Sequence, residues 1–154
     1  MIAFLADLVR FFARDGLTVD DVVHAVGPIA RDPGVPMPIV LQPSAGGIHA
    51  ASLARYPDSL LPYLLTLELA EGARPTVGDL TRSFGAFVAL PRDRGMPAWI
   101  RFAPAAPPSA WTVTINAPVA GGAAPAADDE VPTVVLQREP ASATADASVP
   151  ETHA

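Results

Sequence analysis

Two motifs that recur in the same order constrain the fold of this chain more than any other feature. Residues 18–27 read TVDDVVHAVG and residues 76–85 read TVGDLTRSFG. Residues 31–36, RDPGVP, and residues 92–97, RDRGMP, share Arg-Asp-x-Gly-x-Pro, and a short apolar segment follows each. The copies are 58 residues apart at Thr18 and Thr76 and 61 apart at Arg31 and Arg92. A three-residue insertion in a loop explains that difference, because loops tolerate added length. The shared order predicts an internal duplication.

Each copy of the first motif has the pattern of a short capped helix. Thr18 and Thr76 are the N-caps, and an aspartate three residues after each Thr completes a capping box. A glycine nine residues after each Thr is the expected C-terminal stop. Such caps are selected in any helix, so the order of the motifs, and not the caps, indicates duplication.

The remaining apolar segments predict strands. Residues 63–69 alternate most clearly, with Tyr63, Leu65, Leu67 and Leu69 on one face and Glu68 among the residues on the other. The predicted strands are 38–42, 48–55, 63–69, 99–102, 111–117 and 133–137. We predict an α+β fold of two α-β-β-β halves, residues 18–70 and 76–139, with pseudo-two-fold symmetry. The sheet would be mainly antiparallel with the helices on one face, because a sheet must bury its apolar side.

The two ends of the chain differ in their predicted order. Residues 1–15 form an amphipathic helix outside the repeat, with an apolar stripe that includes Leu5, Leu8 and Phe12. Residues 1–139 are expected to be a single domain, and residues 140–154, with Val149 as their one large apolar residue, a disordered tail. The first segment lacks a basic start and is too short to span a bilayer, so we expect neither a signal peptide nor a membrane contact.

Charge and cysteine content limit the function classes. The formal net charge is −6, and all ten basic residues are arginine. An acidic chain is a poor ligand for nucleic acid, whose binding depends on neutralised phosphates, but it suits a basic protein partner. The chain has no cysteine, which excludes disulfides and thiolate chemistry. We expect a cytoplasmic protein.

The sequence carries no recognisable catalytic, cofactor or metal motif. His24 lies one helical turn after Asp20, and His49 opens a predicted strand, but no nucleophile is placed beside either histidine. Two isolated histidines also do not make a metal site. We therefore predict a non-enzymatic protein with no cofactor and no metal, while an enzyme using His24 or His49 remains the least favoured alternative.

The predicted function is protein binding, in the form of an acidic inhibitor or immunity-type protein that covers a basic partner. The salt-sensitive contact would be carried by Glu68 and the acidic loop 121–130. One alternative is a small-ligand domain with a cleft between the halves, and another is a subunit of a larger assembly that docks through the N-terminal helix. The sequence leaves the oligomeric state open. The candidate binding surface consists of Tyr63, Glu68, Arg92, Arg94, Trp99 and Arg101.

Overall fold

An eight-stranded antiparallel sheet organises the chain. The computed structural model describes residues 1–105, 109–119 and 124–141. The strand order is β1-β2-β3-β4-β8-β7-β6-β5, so β4 and β8 are the central pair and β1 and β5 are the two edges. The strands are β1 Ile29–Arg31, β2 Ile39–Leu41, β3 Ile48–Arg55, β4 Pro62–Leu69, β5 Val88–Ala89, β6 Ala98–Phe102, β7 Trp111–Val119 and β8 Thr133–Pro140.

Three α-helices accompany the sheet in the described part of the chain: α1 Ile2–Phe12, α2 Val19–Val26 and α3 Val77–Phe84, with a 3₁₀ turn at Glu71–Ala73. This combination confirms the α+β class. β8 continues to Pro140, just beyond the predicted domain end, and residues 142–154 of the predicted tail lie outside the described residues.

The sheet has two more strands than the sequence predicted, because each edge carries a short one. β1 has three residues and β5 has two, and all of them are exposed. Strands this short give too few residues for a period-two pattern to be recognised. Each helix-led segment, starting at α2 or at α3, therefore contains four strands in place of the predicted three.

The buried face of the sheet is defined by strand register. Residues directly opposite each other on paired strands point to the same side, and one row of such partners crosses six strands without a solvent-exposed member. The row is Ile39, Leu53, Leu65, Leu136, Ile115 and Phe102, each with 0% exposure. Its midpoint is the Leu65–Leu136 pair, where β4 joins β8. The same apolar core includes residues from all three helices.

Helix α1 is part of this core. Leu5 and Phe12 have 0% exposure and Leu8 has 4%. The helix contacts α3, β7 and β8. Its polar side carries the exposed ion pair of Arg10 with Asp7. No helix in the described part of the chain is both long and apolar enough to cross a membrane.

Both predicted capping boxes are confirmed. The Asp21 backbone N–H donates to Thr18 Oγ1 at 3.2 Å, and the Asp79 backbone N–H donates to Thr76 Oγ1 at 3.1 Å. Each threonine N–H in turn donates to the aspartate side chain, at 2.9 Å and 3.0 Å. These hydrogen bonds stabilise the charged carboxylates, and they lower the pKa of Asp21 and of Asp79.

Part of the acidic loop also caps α3. The Val77 N–H donates to the Asp129 carbonyl at 2.9 Å, and the Gly78 N–H donates to the Ala127 carbonyl at 2.8 Å. A third hydrogen bond runs in the opposite direction, from the Val131 N–H to the Pro75 carbonyl. Residues 126–131 therefore satisfy first-turn donors that the helix itself leaves free.

Acidification should weaken the α3 cap. The pKa of Asp79 lies below its ordinary value of 3.8 in the folded chain. As the pH falls, the Asp79 carboxylate is therefore protonated at a higher pH in the unfolded chain than in the folded chain. The stabilisation is present above pH 3.8 and is lost as the pH falls toward the folded-state pKa. Asp79→Asn keeps an acceptor but cannot titrate. Denaturant unfolding between pH 7 and pH 3 should therefore show the free energies of unfolding of the wild type and of Asp79→Asn converging as the pH falls. A constant difference between the two proteins over this range would contradict the effect.

Gly27 allows close packing between the end of α2 and the end of β2. A Cβ at this position would lie 1.8 Å from the Gln42 carbonyl oxygen. That oxygen belongs to the backbone, so relief would require moving the chain. We expect Gly27→Ala to lower the free energy of unfolding by about 1–3 kcal/mol. Gly46→Ala is the control, since nothing lies within 4 Å of its Cβ position. Equal urea midpoints for the two variants would contradict this packing.

Candidate functional site

The side of the sheet opposite the buried row is half-exposed across its width. We call it the outer face and define it by a second row of register partners: Val40, Ser52, Thr66, Val135, Asn116 and Arg101. All of these are half-buried except Asn116, which is 5% exposed. At the edges, Arg31 lies opposite Val40 and Val88 lies opposite Arg101, so this row crosses the whole sheet.

Three of the six predicted binding residues lie on the outer face. Arg101 belongs to the row itself, Trp99 lies opposite Pro118, and Glu68 lies opposite Thr133. Glu68 is exposed, and its carboxylate has no hydrogen bond or ion pair to any described residue. The strands of Glu68 and Trp99 are three spacings apart, about 14 Å.

A polar chain holds Arg101 in place. The Arg101 Nε–H donates to Asn116 Oδ1 at 2.8 Å, and Asn116 Nδ2 donates to Thr114 Oγ1 at 3.2 Å. The Asn116 amide therefore accepts a hydrogen bond at its oxygen and donates one from its nitrogen, and these two bonds fix its orientation. Alternation along β7 places Asn116 on the outer side of the sheet, but alternation alone does not reveal that this side chain is buried.

Tyr63 lies apart from the other predicted residues. Its ring stacks on Tyr56 with the centroids 4.5 Å apart, near the start of β4. The Tyr56 hydroxyl donates to the Arg138 carbonyl at 3.2 Å. Burial, followed by the charge of Glu139, raises the pKa of Tyr56. Tyr63 therefore belongs to an aromatic pair that braces this end of the sheet.

Arg92 and Arg94 lie in the exposed loop between β5 and β6. Within it, Arg92 Nη1 is 3.5 Å from the Met96 carbonyl, and the Met96 N–H donates to the Asp93 carbonyl at 3.1 Å. The matching loop, residues 32–38, joins β1 to β2 at the opposite edge of the sheet. Seven strand spacings, about 34 Å, separate the two edges. The two Arg-Asp-x-Gly-x-Pro loops therefore lie at opposite edges of the sheet.

A side chain from β3 braces the first of these loops. Arg55 donates from Nη2 to Asp32 Oδ1 at 2.7 Å and from Nη1 to Asp32 Oδ2 at 3.2 Å. Asp32 Oδ1 also accepts from the Gly34 N–H at 2.9 Å. The Gly34 N–H first, and then Arg55, lower the pKa of Asp32. Asp32 and Arg55 therefore stabilise the loop between β1 and β2.

Arg138 is a buried cation that the sequence prediction missed. It is 1% exposed. Its Nε–H donates to the Phe12 carbonyl at 2.8 Å and its Nη2 donates to the Arg14 carbonyl at 2.7 Å, so it satisfies the C-terminal end of α1. Its guanidinium carbon lies 3.7 Å from the Trp111 ring centroid. Burial lowers the pKa of Arg138.

Two open grooves lie outside the predicted binding surface. One, of about 720 Å³, is formed by residues 1–4 of the chain and by residues that include Arg74, Pro75 and Asp79. The other, of about 390 Å³, lies among Ala6, Arg10, Phe84 and neighbouring residues. Neither groove is lined by a predicted binding residue.

His24 and His49, the histidines of the enzyme alternative, lie on the surface of the chain. The His24 ring donates from Nδ1 to the Asp20 carbonyl at 3.1 Å and is exposed, as is His49. Across residues 1–105, 109–119 and 124–141, no three His, Asp or Glu side chains group in a way that could hold a metal. No protein-family model, curated protein or solved structure matches the chain.

Proposed function

We propose that this chain is a protein-binding module that docks a partner protein on the outer face of its sheet. The observation that carries the proposal is the contrast between the two sides of the sheet. The inner row is completely buried, whereas the outer row is half-exposed at every position except Asn116. A solvated sheet face is common in antiparallel sheets, but this one also presents an exposed carboxylate and a held guanidinium, Glu68 and Arg101.

The outer face is large enough for a stable interface. Eight strands at about 4.8 Å spacing span about 34 Å, and the eight-residue central strands are about 26 Å long. A standard interface takes about 800 Å² from each partner. A broad sheet surface of this size suits a macromolecule better than a small ligand, which prefers a concave pocket.

The charge of the chain favours a partner that presents basic groups to Glu68. The net charge of −6 attracts such a partner over distance and raises its association rate. This is the arrangement expected for an acidic inhibitor or immunity-type protein, and we place its action in the cytoplasm as part of the same proposal.

The architecture we propose is a duplicated unit with pseudo-two-fold symmetry and all helices on the inner side of the sheet. Two observations support it. The strand order runs from each edge to the centre in chain order, β1 to β4 and β5 to β8. The buried row also has three members on each side of the Leu65–Leu136 pairing. In this arrangement the outer face extends evenly over both halves.

The N-terminal helix is a weaker candidate for docking a partner. Its apolar stripe, with Leu5 and Phe12 at 0% exposure, already packs inside this chain. The grooves give no support for the predicted small-ligand cleft, because neither includes Trp99, Arg101 or Glu68.

Affinity capture with charge-reversed variants tests the proposal. The bait would be the full chain, exposed at low ionic strength to extract from the cells that express it. Glu68→Arg should reduce recovery of the specific partner by about tenfold, in the range of a lost interfacial charge pair. Asp7→Arg makes the same charge change on the exposed side of α1 and should leave recovery unchanged. Equal recovery with both variants would contradict docking on the outer face.

A further inference from the structure

We infer that Arg101 is the anchor of the outer face and that it binds a carboxylate of the partner protein. The inference rests on the proposed function and specifies the chemistry of the partner at one point. Three observations support it: Asn116 holds the Arg101 side chain, the two Nη groups have no hydrogen-bond partner among the described residues, and apolar residues lie next to Arg101 on the outer face.

The Arg101 side chain is held in position before any partner arrives. Its Nε–H is used by Asn116, and Asn116 is fixed in turn by Thr114. Asn116 is the one outer-row residue with an exposure as low as 5%. A buried amide that binds Nε leaves the two Nη groups of the guanidinium as a fork of fixed direction, so little side-chain entropy is lost when the fork binds a ligand.

The fork has no partner within the described chain. Arg10, Arg55 and Arg82 each form an ion pair with an aspartate. Arg138 donates from Nε to the Phe12 carbonyl and from Nη2 to the Arg14 carbonyl, and its Nη1 has no partner among the described residues. Arg101 is half-buried, yet neither Nη group has a hydrogen bond to any residue in the ranges that the structure describes. A partly desolvated cation normally has a counter-ion, and none is supplied here.

The register neighbours of Arg101 on the outer face include apolar residues. Trp99 lies two residues earlier on the same face, beside Pro118. Val88 lies directly opposite Arg101 and is 65% exposed. Arginine and tryptophan are the residue types that most often dominate binding energy, particularly where neighbouring contacts exclude water. A partner that covers Val88 and Trp99 would strengthen an ion pair with Arg101 by removing water from it.

A protein carboxylate fits this surface better than a nucleic-acid phosphate. An arginine fork pairs with either group in a bidentate geometry. Nucleic-acid binding, however, draws its affinity from several neutralised phosphates, and this chain has a net charge of −6 with Glu68 on the same face. The charge pattern instead complements a protein that presents an acidic residue to Arg101 and a basic one to Glu68.

Selection from a library of random short peptides displayed on phage tests the inference. The full chain is the target, and each selected sequence is synthesised for affinity measurement. We expect the selected peptides to share an Asp or Glu whose replacement by Asn or Gln weakens binding about tenfold or more. This change leaves the protein untouched, so protein folding does not enter the comparison.

Variants of the protein give the reciprocal measurement. Arg101→Lys keeps the charge but removes the fork, and it should weaken binding by a similar factor. Arg10→Lys is the matched control, because Arg10 is an exposed arginine on the polar side of α1, outside the outer face, and it should bind as the wild type does. Melting temperatures of both variants confirm that each is folded.

The possible results distinguish the role of Arg101 as an anchor from docking on the outer face in general. Peptides that lose binding with Thr66→Arg at the centre of the face, but not with Arg101→Lys, would overturn the anchor and leave the proposed function standing. Peptides that ignore both variants would count against the anchor and the outer face alike. A selection without carboxylate-bearing peptides, or Arg101-dependent binding of a single-stranded oligonucleotide, would also overturn the inference.

Discussion

Deletion of residues 1–15 is expected to abolish cooperative folding of the chain. The deleted helix α1 contributes Leu5, Leu8 and Phe12 to the core, and none of these exceeds 4% exposure. Burial of each such side chain stabilises the fold by about 1.5–3 kcal/mol. Their sum approaches the whole free energy of unfolding of a typical domain, about 5–15 kcal/mol. The deletion would also expose the parts of β7 and β8 that α1 contacts.

Circular dichroism during urea unfolding measures this effect directly. The truncated chain should show no sigmoidal transition, or should aggregate, whereas the wild type unfolds in one step. The double variant Asp7→Ser, Arg10→Ser changes the exposed ion pair on the same helix and should unfold like the wild type. A truncated chain that folds normally and loses only its ability to assemble would show that α1 is a docking element for a partner.

Arg138→Ala is expected to lower the free energy of unfolding by about 3 kcal/mol. The substitution leaves the Phe12 and Arg14 carbonyls without their donor, and a buried acceptor that loses its partner costs about 1–3 kcal/mol. It also removes the guanidinium that lies over the Trp111 ring. Relief of the desolvation of the guanidinium offsets part of this loss, which keeps the estimate below the sum of the separate effects.

A second substitution at the same position separates packing from hydrogen bonding. Arg138→Met fills a similar volume without donors and without a buried charge, so its cost should be smaller, about 1–2 kcal/mol. At 2–4 °C per kcal/mol for a chain of about this length, Arg138→Ala should lower the Tm by about 10 °C. Arg10→Ala on the exposed side of α1 is the control. An Arg138→Ala variant as stable as that control would show that the buried cation is not needed.

Local signals carried most of the fold prediction. Thr18 and Thr76 with their aspartates predicted two helix starts, because a capping box is decided by residues within one turn. Strand β3 was predicted with its observed limits, and the alternation on β4 grouped Leu65, Leu67 and Leu69 with Tyr63 on one face. The three leucines are buried and Tyr63 is half-buried. These patterns depend on near neighbours in sequence and need no knowledge of the tertiary structure.

The motif match between the two loops did not extend to their geometry. In the first loop the Met37 N–H donates to the Gly34 carbonyl, whereas in the second the Met96 N–H donates to the Asp93 carbonyl. The turns therefore fall at different positions of the shared Arg-Asp-x-Gly-x-Pro pattern. The partner that fixes the first loop, Arg55, comes from β3, and no sequence pattern within the loop reveals that contact.

Contacts distant in sequence account for the rest of the candidate site. The predicted surface grouped Arg92 and Arg94 with Glu68, but strand order separates them, because their loop begins at the edge strand β5 while β4 is central. Tyr63 shares β4 with Glu68 but lies near its other end, where it stacks on Tyr56. Arg138 could have been noticed, since it continues the buried alternation of Val134 and Leu136 on β8. Its partners lie 124 and 126 residues earlier in the chain, beyond the reach of any local pattern.

The central claim is that a partner protein covers the outer face, and the lack of cysteine in the sequence makes a direct test possible. Ser52→Cys places one thiol on the outer face, and Ser83→Cys places one on the exposed surface of α3. Each variant would be labelled with a thiol-reactive probe, once as purified protein and once inside the cells that express it. We expect Ser52→Cys to be labelled in the purified protein but protected in cells, while Ser83→Cys is labelled in both. The claim would be contradicted if the ratio of Ser52→Cys labelling to Ser83→Cys labelling were the same in cells as in the purified proteins.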